Sequence, residues 1–155
     1  MVTKPLDNKT FAQIVEYAPL VAIDLIIKNR DQNILLGKRM NDPAKDYWFV
    51  PGGRIYKNET ISEAFNRISL TEIGDELCID HAKFLGVYEH FYENSFYCKE
   101  VSTHYIVLGY EVNYDFSMNI LPKVQHNIYK MVSVEILLHD AEVHPNVKLY
   151  FKELE

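Results

Sequence analysis

The sequence predicts an α/β (α+β) domain in which a mixed β-sheet is packed between α-helices. Strand-like apolar runs interleave with helical periodicities, and polar turn residues separate them at short intervals. The 155 residues are enough to close one hydrophobic core. With no internal repeat, linker or low-complexity tract, residues 1–155 read as a single domain.

The elements follow in order. Asn8–Tyr17 sets Phe11, Ile14 and Val15 at helical spacing, and Pro19 stops it. Leu20–Lys28 reads as a strand, residues 29–33 as a polar turn, and Ile34–Arg39 as the returning strand of a hairpin. Residues 47–50 form a short aromatic strand ended by Pro51-Gly52-Gly53. Thr60 and Glu63 make a capping box that opens a helix over Ile61–Ile73, and Gly74 closes it. Residues 84–91 and 103–112 read as two long strands around a turn at Glu93-Asn94-Ser95. Residues 129–132 are a short strand, and residues 134–138 and 147–154 read as helices.

Composition narrows the function. A chain 48% hydrophobic and 25% charged is that of an ordinary globular protein. Its net charge of −6 argues against nucleic-acid binding, which needs a basic face, but not against a small phosphate-bearing ligand. Cys78 and Cys98 form no metal spacing and predict free thiols in a reducing, cytoplasmic setting. The first residues lack the apolar core of an export signal, and the longest apolar run, 21–27, is broken by Asp24 and too short to span a bilayer.

The predicted helix over Ile61–Ile73 carries the chemistry. At 100° per residue Ile61, Phe65 and Ile68 share one stripe, and Glu72 falls on it. A carboxylate there faces the core, in the last turn, where the macrodipole disfavours negative charge. Either a divalent cation compensates it, or the helix frays before Gly74 and Glu72 reaches solvent.

Gly53, Glu59, Arg67, Glu72 and Gly74, preceded by Trp48-Phe49-Val50-Pro51-Gly52, resemble the Nudix box in order and spacing. The resemblance implies the Nudix fold: a loop–helix–loop whose acids hold magnesium against a diphosphate, with Glu59 and Arg67 pairing across it. Two consensus glutamates are replaced, by Ile68 and Thr71, which reduces the capacity for several metal ions. Leu35-Leu36-Gly37-Lys38-Arg39, His90-Phe91-Tyr92, Thr103-His104-Tyr105 and Gln125-His126 are similar to the GDP-mannose mannosyl hydrolase branch. That branch cleaves the anomeric carbon–oxygen bond of a GDP-sugar with inversion, as a homodimer with one magnesium per site; manganese is the alternative ion.

The resemblance assigns the metal to Glu72, the Gly53 carbonyl and the Gln125 amide oxygen. It gives the diphosphate to Arg39 and Arg54, whose bidentate guanidinium suits phosphate oxygens better than an ammonium. Taken alone, Gln125 and both arginines read as surface residues. His126 becomes the general base, against the ordinary reading of a surface loop histidine. Asp24 would face the sugar; by strand alternation it could equally face solvent, since Ile23, Leu25 and Ile27 share the other side. Tyr105 would donate to the diphosphate or simply pack, and His90 would line the pocket or sit satisfied in the core. Phe11 and Tyr17 could contact guanine, a dimer partner or the core. Residues 87–101, with Tyr88, Phe91, Tyr92, Phe96 and Tyr97, could shape the sugar pocket or the dimer. Two further outcomes stay open: a pyrophosphatase releasing GMP and sugar 1-phosphate, and a nucleotide-sugar-binding domain without turnover.

Overall fold

The computed structural model describes residues 5–123 and 126–154. Helix α1 (Asn8–Tyr17) is capped by the Asp7 side chain on Thr10 N. The strands are β1 (Leu20–Lys28), β2 (Ile34–Arg39), β3 (Trp48–Phe49), β4 (Gly52–Arg54), β5 (Lys83–Tyr92), β6 (Thr103–Asn113) and β7 (His126–Val132). Helix α2 (Ile61–Ile73) lies between β4 and β5; α3 (Val134–His139) and α4 (Pro145–Lys148) follow β7, with a 3-10 turn over Leu149–Leu154.

The sheet runs β3-β2-β1-β6-β5, with β4 paired to β1 and β7 paired to β2. Among the paired strands of the described residues only β1 and β6 run parallel, so the sheet is mixed as expected. Central position explains β1: Ile23, Leu25 and Ile27 pack towards α2 with Phe65 and Ile73, while Ile26 packs on the other face with Val147 and Phe151. Each such fully buried aliphatic side chain contributes about 1.5–3 kcal/mol.

Both faces of β1 are therefore covered, and the expectation that Asp24 could face solvent is overturned. It is 6% exposed, on the Ile26 face. Helix α2 begins with the predicted capping box and ends on Gly74 in the left-handed region, φ 79°. Its buried stripe follows the predicted one except at the first position. Phe65, Ile68 and Glu72 are buried, but Ile61, in the first turn, is 45% exposed.

Three further differences bear on the site. Gly52-Gly53-Arg54, expected to end a strand, forms β4 and pairs antiparallel with β1. β7 begins at His126, so that residue belongs to a strand paired with Arg39 and not to a loop. The connection from β5 to β6 is longer than a tight turn and is held by Ser95 and Cys98, whose backbones bond to each other.

Candidate active site

The β1–β4 pairing sets the centre of the site. Asp24 lies opposite Gly52, Ile23 opposite Gly53 and Ala22 opposite Arg54. A Cβ on Gly52 would stand 2.3 Å from Asp24 Oδ1, so only glycine allows the carboxylate and the loop to lie this close. The cleft that opens there has a volume of about 540 Å³, within the range that takes a nucleotide-sized ligand. Asp24, Arg39, Arg54, Glu72, His90 and Tyr105 all line it, as does Gly53. Six separate elements thus bring these seven residues to one place.

Helix α2 is fastened under the cleft by Glu59 and Arg67. The guanidinium donates to both carboxylate oxygens, at 2.6 and 2.9 Å, and to the Arg54 carbonyl at 2.8 Å. That fork holds the Glu59 carboxyl below the usual carboxylate range. Arg54 is tied through its backbone, which leaves its guanidinium between the Phe11 and Tyr56 rings, 4.7 and 5.1 Å from their centroids. Arg39 donates from Nε to the Pro43 carbonyl at 2.9 Å and sits 5.9 Å over Phe49.

Glu72 does not reach solvent: it is 4% exposed. Burial pushes its carboxyl up to about 7, against the opposing pull of Arg39. Asp24 is likewise pushed up to about 7 by burial, although Tyr150 and Arg39 favour its charged form. Two carboxyls that burial renders reluctant to ionise, both lining one cleft, suit a site completed by a cation.

His126 is 1% exposed and is not among the residues that line the cleft. Its ring rests on Gly37, where a Cβ would come within 2.5 Å of Cγ. Nδ1 is 3.8 Å from Glu72 Oε2, and neither ring nitrogen has a hydrogen-bond partner among the described residues. Burial lowers its pKa to about 4, so the ring is neutral and the contact with Glu72 is not an ion pair. A buried, unpartnered imidazole is a group waiting for a proton donor or acceptor.

The predicted metal set can be tested on these residues. Glu72 offers a buried carboxylate that pairs with no lysine or arginine among the described residues, and Gly53 lines the same cleft. Gln125 lies outside the described residues. An oxygen-rich set of this kind fits magnesium. Among the described residues there is no cluster of three or more His, Cys, Asp or Glu poised to hold a metal.

Tyr105 stands opposite His90 in the β5–β6 register, and burial raises its hydroxyl above its ordinary pKa, keeping it a donor. His90 is 2% exposed and held neutral by burial, at about 4. Phe11 is on the cleft wall; Tyr17, 80% exposed, is neither core nor cleft. The aromatic segment divides: Tyr92, Phe96 and Tyr97 line the cleft, while Phe91 is exposed and stacked on His104. Tyr150 was not foreseen. Spacing marks Val147, Tyr150 and Phe151 as a buried face, but nothing local announces that the Tyr150 hydroxyl donates to Asp24 at 2.5 Å.

A mixed sheet, a capped loop–helix–loop, and a cleft lined by arginines and buried acids define a class of domain built to hold a charged small molecule. This chain belongs to the NUDIX domain family, whose model matches residues 18–152. It is 35% identical over 153 residues to the low-salt glycan biosynthesis protein Agl8 of Haloferax volcanii, covering 99% of this chain and 93% of that one. The ADP-ribose pyrophosphatase of Methanocaldococcus jannaschii is 43% identical over 70 residues, 45% of this chain and 40% of that one. Among solved structures, the MutT protein of Methanosarcina mazei Go1 shares the fold, with a TM-score of 0.70 at 19% identity over 87% of this chain and 92% of that one.

Proposed function

We propose that this chain is a magnesium-dependent hydrolase that splits a GDP-sugar, GDP-mannose or GDP-glucose, into GDP and the free sugar, working as a cytoplasmic homodimer. One observation carries the reading: α2 offers the cleft a single acid from its second half. Ile68 is an apolar plug, its Cγ1 only 3.1 Å from where a Gly53 Cβ would stand. Thr71 turns its hydroxyl back to the Arg67 carbonyl at 2.8 Å. Attack at phosphorus with several metal ions would want carboxylates at both places. The relative named for glycan biosynthesis is consistent with a substrate carrying a sugar.

In this reading Glu72, the Gly53 carbonyl and Gln125 hold the ion, which when bound supplies positive charge beside the diphosphate. Arg39 and Arg54 grip the diphosphate and Tyr105 donates a hydrogen bond to it. Asp24 faces the sugar and stabilises positive charge at the anomeric carbon, with His90 behind it. His126 takes the proton from the attacking water. The new bond joins water oxygen to that carbon, and the electron pair of the broken carbon–oxygen bond leaves on GDP.

A second reading, hydrolysis to GMP and sugar 1-phosphate, draws on the likeness to the archaeal ADP-ribose pyrophosphatase. Product analysis after incubation with GDP-mannose and magnesium separates the two. GDP with mannose of inverted configuration supports the first reading; GMP supports the second; binding without product would leave a sensor and defeat both.

A further inference from the structure

We infer that Tyr150 is a positioning residue that fixes the Asp24 carboxylate for reaction, with His90 as the next link behind it. The inference rests on the role given to Asp24 above and assigns a function to the C-terminal segment, none of whose described residues lines the cleft itself.

Three side chains from three elements meet in one buried line. Tyr150 is 8% exposed, Asp24 6% and His90 2%. The Tyr150 hydroxyl is 2.5 Å from Asp24 Oδ2 and 3.3 Å from His90 Nε2. A phenol has one proton, and Asp24 in the ionised form that its role at the anomeric carbon requires can only accept. In that form the proton points at Asp24, and His90 serves the phenol oxygen as a donor when its Nε2 carries the proton. Oδ2 is occupied in this way, and Oδ1 is left on the Gly52 side, at the cleft.

The backbone makes room for this arrangement. Gly109 on β6 pairs with Asp24 on β1. A Cβ on Gly109 would stand 3.1 Å from both the Tyr150 and the Tyr88 rings, which meet edge to face at 4.6 Å. Val147 and Phe151 on either side are buried among Ile26, Phe49 and Leu137, so the phenol cannot swing away. A tyrosine needed only for packing would have no use for a hydroxyl aimed at an acid in a cleft; phenylalanine would fill the same space.

The test is a cycle of Tyr150→Phe, Asp24→Asn and the double variant in the full chain, assayed on GDP-mannose with magnesium. Tyr150→Phe is expected to lower kcat about 10- to 100-fold with KM changed less than about twofold, the loss that follows misplacement of one reacting group. In the Asp24→Asn background the same change is expected to cost nothing further. An unchanged kcat, or losses that multiply in the double variant, overturns the inference. Failure of the GDP-sugar reading is seen separately, as GMP or no product from the parent chain. In that event the crystal structure of Tyr150→Phe decides: an Asp24 side chain turned from its place supports the inference, and an unmoved one overturns it.

Discussion

Glu72 stands in the last turn of α2, where the helix dipole disfavours negative charge, and burial compounds the cost. A cation offsets both. Glu72→Gln keeps the shape and removes the charge, so it is expected to abolish saturable magnesium dependence along with turnover. A metal titration matching the parent's would contradict the ligand assignment. His126→Gln is expected to lower kcat by about 10²–10⁴-fold with little change in KM, the signature of a lost base. An unchanged rate would make His126 a packing residue beneath Gly37. At this scale the sequence was informative where a motif fixed spacing: Gly53, Arg54, Glu72, Arg39 and Asp24 all reach the cleft wall. It was uninformative where the partner is remote. Tyr150 meets Asp24 across 126 positions of chain, and no local periodicity encodes which residue a hydroxyl will face.

Short elements place these side chains, and one tight constraint lies between β2 and β7. Gly37 pairs with Tyr129, the ladder then shifts, and Arg39 pairs with His126. The His126 ring occupies the space where a Gly37 side chain would be. Gly37→Ala is expected to cost about 1–3 kcal/mol of stability by overpacking, read in urea unfolding, and to reduce activity by displacing the ring. Stability and activity equal to the parent's would show that the ring has room to move. The long elements were legible because their patterns are strong: α1, β1, β2 and α2 fall on the predicted residues. β4 was not, since a Gly-Gly-Arg strand has almost no side chains to show alternation; its pairing comes from the central strand beside it. The shortened stripe of α2 has a similar cause. Helical period gave the angle, but how far along the helix the stripe is covered depends on tertiary packing, and Ile61 in the first turn is left 45% exposed.

For the molecule as a whole, the buried titratable groups make stability depend on pH and on the ion together. Asp24 and Glu72 stay protonated up to about pH 7 when folded, against ordinary values of 3.8 and 4.5, so their contribution falls as pH climbs through that window. His90, His126 and His144, near 4 when folded against 6.5, act in the opposite sense and are complete by about pH 6.5. Above that only the carboxylate loss continues, and an ion that binds ionised Glu72 reverses it. Magnesium is therefore expected to raise Tm more at about pH 8 than at about pH 5.5; equal shifts would contradict this. No helix among the described residues is long and apolar enough to cross a membrane. Strand β5 ends the sheet path, and Val87 and Phe91 on it are 60% and 64% exposed, a surface that suits the proposed homodimer. Light scattering is expected to give twice the 18.2 kDa chain mass; the monomer mass would remove the dimer from the account.

The bond that breaks is read most directly by turnover of GDP-mannose in heavy-oxygen water. The account predicts that the heavy atom enters the free mannose and that GDP carries none. Label on phosphorus, in GDP, GMP or a sugar phosphate, would contradict it.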